Sequence, residues 1–221
     1  MVTVHDAPAG TGWVGMIKVL THRKIAGLSC VAAVGVMLYM GFIHDFLAVT
    51  RPVEAPVLVV EGWVWDKPAM REAAAEFKKG GYECVICVGG PEDRSGRACP
   101  ANCAVLAASS LIDLGIDRRY VHVVSLNSSA HQRTLGAARA TSEWLRKDRP
   151  NTAALNVFTL GTHARKSWLL FKKVFGGEAD VGIISGTESA YPVKYWWTSR
   201  TGVYLVIRNT MGYLYALAIA G

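Results

Sequence analysis

The chain lacks the short glycine and histidine signatures that most readily name an enzyme. No G-x-G-x-x-G follows its first strand-like run, and P-loop, G-x-S-x-G and H-E-x-x-H patterns are missing. Nothing therefore points to a Rossmann dinucleotide fingerprint, a phosphate-loop NTPase, a serine-hydrolase elbow or a zinc metalloprotease. There is no dense Lys/Arg run and no basic patch interleaved with aromatics, so nucleic acid is not an expected partner. Internal repeats and low-complexity tracts are also absent. The last absence is local: residues 25–43 carry no charge at all.

That uncharged run is about as long as the apolar core of a bilayer is thick when wound as a helix. It exceeds the usual h-region of a signal peptide and has a long flank before it, so it reads as an uncleaved transmembrane anchor. Lys18, Arg23 and Lys24 precede it, and only Arg51 follows closely. The positive-inside rule then keeps residues 1–24 in the cytoplasm and sends residues 57–221 outward, with 44–56 as a linker. In a Gram-negative bacterium the expected location is the inner membrane, single-pass, with the domain in the periplasm. At 221 residues the chain has room for one full domain after the span. Its formal net charge of +7 lies almost wholly beyond residue 49. Such a charge suits an anionic ligand or an anionic membrane surface.

Beyond the linker, apolar runs and helical patterns alternate. Strands are expected at 57–64, 84–90, 120–126, 154–161 and 180–186, and helices at 68–81, 101–115, 131–147 and 163–175. The pattern predicts an α/β, Rossmann-like doubly wound fold: a mainly parallel five-stranded sheet with helices on both faces. With strand order 3-2-1-4-5, strands one and four meet where the order reverses, and ligands bind beyond their carboxyl ends. Glu61, Gly62 and Trp63 fall there on one side, and Gly161, Thr162 and His163 on the other.

The segment 155–171 breaks a local rule at that place. His163, Arg165 and Lys166 gather in the first turn of a helix, the end that normally attracts acidic groups. Together with the free backbone N–H groups they would form an anion cradle. A stripe of Ala164, Trp168, Phe171 and Phe175 is expected to face the core, leaving Lys172 and Lys173 at the surface. Glu61 interrupts an apolar strand end beside this cradle, as a general base or as a salt-bridge partner of Arg165 or Arg133. Asp66 reads as a turn or capping residue. Gly89 and Gly90 would let backbone approach a ligand, or simply turn the chain. Arg133 and Thr134 open the helix after strand three and are expected as further ligand contacts.

Five cysteines occur. Cys84, Cys87, Cys99 and Cys103 imitate a zinc spacing, but residues three apart on a strand face opposite ways, so no metal site is expected. Cys99 and Cys103 read as free or partly buried thiols, with a disulfide as the alternative in an oxidising compartment. His122 reads as a core residue. The C-terminal run 195–221 reads as a closing helix on the sheet, with Val203, Ile207, Met211 and Leu214 inward and Trp196 and Trp197 near the membrane surface.

The stretches "VEGWVWD" (60–66), "VGGP" (88–91), "SSAHQRTLGAA" (128–138) and "TLGTHARKSWLLF" (159–171) together resemble the YdcF-like family, which includes the SanA and ElyC envelope proteins. The resemblance spans about residues 57–186, and the single N-terminal span is similar too. The chain departs from the family pattern at Glu61, where many members have a glycine-rich turn. It departs again at Cys99–Cys103, where many carry a Ser-Glu-Ala type helix start. The resemblance implies a role around cell-wall or polyprenyl-phosphate carrier metabolism. Glu61 and His163 are then the expected catalytic groups, with Gly62, Gly89, Gly90, Arg133, Thr134, Thr162 and Arg165 around an anionic small molecule or lipid-linked phosphate. Two other readings remain open: a non-catalytic envelope factor that senses a ligand or docks a partner, and a nucleotide or S-adenosylmethionine binder. The cofactor, if any, is left open.

Overall fold

A computed structural model describes residues 11–64, 67–91, 99, 102–126 and 133–220. The chain divides into two units, Met1–Phe42 and Ile43–Gly221. Within the first, the described residues 11–42 are helical. Helix α1, Thr11–Leu47, runs through it and ends inside the second unit. Its segment Gly27–Leu47 is long and apolar enough to cross a membrane, with a mean hydropathy of 1.7.

The second unit is the expected α/β fold. Strands β1 (Val57–Glu61), β2 (Cys84–Gly89), β3 (Val121–Ser125), β4 (Ala154–Leu160) and β5 (Asp180–Gly186) form one sheet in the order β3-β2-β1-β4-β5. Every pairing is parallel. Parallel neighbours must be joined by crossovers, and α2 (Lys67–Lys78), α3 (Cys103–Asp113), α4 (Arg133–Asp148) and α5 (Ala164–Phe175) supply them. Strand β1 is buried on both faces, so its residues form a continuous apolar run up to Glu61. Val57 and Val59 join Leu145 of α4 and Phe171 of α5 in one core layer. Leu58 and Val60 join Met70 of α2 and Leu111 of α3 in the other. Cys84 and Cys87 divide between the same two layers, as their spacing requires. His122, on the edge strand β3, is half-buried against Trp144, with ring centroids 4.9 Å apart.

Residues 44–56, expected as a linker, are held against the sheet. Leu47 is fully buried, and Arg51 forms an antiparallel bridge with Ile183 on the outer edge of β5. The physical reason lies in Asn156, a polar residue inside β4. Its amide accepts from the Val53 N–H at 2.9 Å and donates to the Val53 carbonyl at 2.8 Å. This clamp crosses β5 at Gly182, where a Cβ would sit 1.9 Å from Asn156 Oδ1 and 2.7 Å from the Val53 nitrogen. Only glycine leaves the passage open.

The C-terminal helix α6, Arg200–Ala220, also differs from expectation. It packs on α5, and its Ala216 joins Leu135 and Leu170 in a small cluster on the outer side of the helix layer. Its buried side holds Leu205, Val206, Asn209 and Ala216, whereas Ile207, Met211 and Leu214 face outward. The expected inward stripe is therefore turned away from the core. Trp196 is buried rather than at the surface, and Trp197 is exposed.

Gly182→Ala should destabilise the full chain in detergent by about 1–3 kcal/mol, the usual cost of forcing atoms into a filled space. Asn156→Ala breaks the same clamp, so the double variant should cost clearly less than the sum of the singles in denaturant titrations. Additive costs would show that Gly182 and the clamp are independent.

Candidate functional site

All five strands end at the same edge, and β1 reaches it in a carboxylate. Glu61 is 1% exposed and forms part of the floor of a cavity of about 330 Å³. A buried carboxylate needs donors, and three elements supply them. Its Oε2 accepts from the Thr159 hydroxyl on β4 and from the Ser167 hydroxyl on α5, the latter at 2.9 Å. Trp63 donates to it as well, and Lys166 adds a nearby positive charge. Burial pushes the Glu61 carboxyl above the usual range, while the Thr159 and Ser167 bonds, the Lys166 charge and the Trp63 bond pull it back. The partners are thus hydroxyls, an indole and Lys166, where the sequence suggested Arg165 or Arg133.

After β4 the chain makes one 3₁₀ turn, Gly161–His163, before α5 begins. His163 is buried and lines the cavity. Its Nδ1 lies 3.4 Å from Asn209 Oδ1 of α6, and its Nε2 lies 3.3 Å from the Thr134 hydroxyl of α4. The Asn209 amide nitrogen donates to Thr162 Oγ1 at 2.7 Å, which turns its oxygen toward the imidazole. A neutral His163 facing that oxygen carries its proton on Nδ1 and leaves Nε2 as an acceptor. The Trp63 ring stands edge-on to the imidazole, centroids 4.7 Å apart. A base oriented on one side and facing a hydroxyl on the other can receive a proton from Thr134 or from a bound ligand.

Three cationic side chains line the same cavity, each from a different helix: Arg133 of α4, Lys166 of α5 and Arg208 of α6. The starts of α4 and α5 bring backbone N–H groups and the positive ends of their dipoles to this edge. Gly89, the last residue of β2, and Gly90 after it line it too, beside Cys103. One wall is apolar, made by Leu126, Leu170, Ala216 and Ile219. The cavity thus joins a cationic floor to an apolar side.

Several expected members take other places. Arg165 turns away from the cavity: its Nε donates to the Phe46 carbonyl, and its guanidinium lies 3.8 Å from the centroid of the Phe46 ring. Gly62 does not line the cavity. A Cβ there would meet the Ala104 nitrogen at 2.7 Å, so this glycine lets the start of α3 press against the end of β1. Thr162 is fully buried behind the site and holds Asn209. Cys99 and Cys103 are disulfide-bonded, with Cα atoms 5.5 Å apart, where free thiols were the simpler expectation. Among the described residues no group of three or more His, Cys, Asp or Glu could hold a metal ion. Asp66 and the opening of the "SSAHQR" motif lie outside the described residues.

The site also contains residues that the strand-end logic passed over. Thr159, Ser167 and Asn209 orient Glu61 and His163, and Arg208 replaces Arg165 as a cation. The only signal for the last two was a polar pair, Arg208-Asn209, interrupting an otherwise apolar helix.

The raised Glu61 carboxyl carries a stability consequence with a definite sign. The folded chain holds a proton that the unfolded chain, titrating near 4.5, has released. Stability is then greatest below that value and falls as pH rises through the higher folded value. In Glu61→Gln the side-chain oxygen still accepts both hydroxyl bonds and no charge is buried. From about pH 4 upward, past the range where an ordinary carboxyl ionises, its melting temperature should lose the decline seen in the wild type. Parallel curves would show that Glu61 does not titrate in this window. Comparisons with family models, with curated proteins and with solved structures find no match for this chain, so fold and geometry carry the functional reading.

Proposed function

We propose that the chain is a membrane-anchored, YdcF-like envelope protein whose cavity binds an anionic, phosphorylated ligand. One observation carries this reading: Arg133, Lys166 and Arg208, from three helices, converge on one cavity at the edge where α4 and α5 begin. Cations and helix N-termini together are the usual recognition chemistry for phosphate. The apolar wall of Leu126, Leu170, Ala216 and Ile219 favours a phosphate joined to a hydrocarbon, such as a polyprenyl phosphate, over inorganic phosphate alone. His163 is the group placed to move a proton, through Nε2, and Glu61 holds β4 and α5 in register around it. A non-catalytic sensing role is the second reading, favoured by the engagement of Glu61 Oε2 in two hydroxyl bonds.

Lys166→Ala and Arg208→Ala should each weaken binding of a short isoprenyl monophosphate by about 1–3 kcal/mol, the loss of a charge-assisted contact. Lys172→Ala, exposed on the far side of α5, and Arg165→Ala should change affinity little. Calorimetry on the four variants tests this, with inorganic phosphate as the second probe. Equal affinities throughout would remove the anion site. The proposed orientation has its own check. A periplasm-active reporter fused after Gly221 should be active, because Lys18, Arg23 and Lys24 precede the span. A cytoplasm-active fusion would overturn the envelope role.

A further inference from the structure

Helix α6 has two unlike sides. One buries Leu205, Val206, Asn209 and Ala216. The other shows Tyr204 at 60%, Ile207 at 48%, Met211 at 61% and Leu214 at 51% exposure. These positions follow one another at three, four and three residues, which makes a single stripe along the helix. A contiguous apolar stripe of this kind marks a surface that something covers.

The end of α1 indicates what covers it. Phe46, within the candidate span Gly27–Leu47, packs its ring against Tyr213 of α6 with centroids 5.6 Å apart. Its carbonyl accepts from Arg165, whose guanidinium lies over the same ring, and Leu47 is fully buried. Residues 51 and 53 are then fixed to β5 and β4. No slack chain separates the end of the span from the α/β unit. The span therefore ends against the middle of α6, next to Met211 and Leu214. The helix carries no Asp or Glu, begins with the exposed Arg200, and is rich in tyrosine. That composition suits an anionic bilayer surface. Arg208 and Asn209 face the cavity, which suits a helix lying on a membrane rather than crossing it.

We infer that the outward stripe of α6, Tyr204, Ile207, Met211 and Leu214, is seated in the headgroup region of the bilayer, beside the point where α1 enters it. This rests on reading α1 as a membrane anchor.

A nitroxide spin label in the full chain, reconstituted into vesicles of phosphatidylethanolamine and phosphatidylglycerol, tests the inference. The label's relaxation is measured with oxygen, which concentrates in lipid, and with a nickel chelate, which stays in water. Cys30 is exposed and takes the label in the wild type, while Cys84 and Cys87 are buried and Cys99 and Cys103 are paired. Burial also pushes the Cys87 thiol up to about 12. Met211→Cys in a Cys30→Ala background places the label on the stripe, and Asp113→Cys in the same background places it at the exposed end of α3. The expected result is an oxygen-to-nickel ratio several-fold higher at 211 than at 113, with Cys30 also dominated by oxygen. Nickel access at 211 with oxygen dominance at Cys30 overturns the docking and leaves the anchor standing. Nickel access at Cys30 removes the anchor, and the docking with it. Shielding of 211 from both reagents, with spin broadening that disappears on dilution with unlabelled protein, shows that a second copy covers the stripe and overturns the inference.

Discussion

Parallel pairing is the constraint on which the rest of this molecule depends. A strand that runs the same way as its neighbour must be reached by a crossover, so α2 to α5 all start from the same edge of the sheet. That geometry gathers helix N-termini, with their unpaired N–H groups, around the carboxyl ends of β1, β2 and β4. Left alone, this edge would be electropositive and poorly satisfied. The sequence answers it with one acidic residue in the floor, Glu61, and with more positive charge around it, from Arg133, Lys166 and Arg208.

Glu61 shows how closely that balance is drawn. Burying a carboxylate costs several kcal/mol even after relaxation. Two hydroxyl bonds to a charged oxygen return about 1.5–3 kcal/mol each, and the Lys166 charge adds to them. The carboxyl nevertheless stays above its usual range, so burial outweighs its partners. The arrangement does more than accommodate a charge. Through Thr159 and Ser167 the same oxygen ties β1 to β4 and to α5, and so fixes the turn that carries His163. Asn209 and Thr134 then hold the imidazole from α6 and α4.

The fold was legible because its strands are apolar on both faces and bounded by glycine or polar turns. Apolar strands do not by themselves specify their order; with the order 3-2-1-4-5 supposed, the edge that carries Glu61 and His163 followed. Ala164, Phe171 and Phe175 do lie in the core, with Trp168 packed against it. That stripe passes over Ser167, since serine carries no apolar signal. Ser167 is in fact fully buried, because Glu61 accepts from it. Consecutive residues on a helix differ by about 100°, so a shift of one position exchanges Arg165 for Lys166. The same blindness hid the clamp at Asn156: a polar residue in a strand looks like an interruption until its partner, Val53, is seen one hundred residues away. The disulfide needed coordinates as well, because spacing alone did not distinguish paired from free cysteines.

Helix α6 was misread for a reason that bears on function. Apolar residues at helical spacing normally mark the side that faces the core, and for a helix surrounded by water the reading of Val203, Ile207, Met211 and Leu214 would have been sound. Here the buried side, though it holds Leu205, Val206 and Ala216, also carries the polar Asn209. Arg208 and Asn209 face the cavity, and Thr210 sits beside them, partly buried and bonded back to the Val206 carbonyl. Polar residues thus reach the cavity from a helix whose outward Ile207, Met211 and Leu214 remain exposed. The helix also links the two ends of the molecule. The end of α1 is fixed to α6 through Phe46 and Tyr213, and α6 in turn supplies one cation and the amide that orients His163. Were α6 seated in the bilayer as inferred, a phosphate carried on a hydrocarbon would meet apolar surroundings at the wall and cations at the floor. Under that proposal the sequence of environments, rather than any single residue, favours an amphiphilic ligand over a freely soluble one.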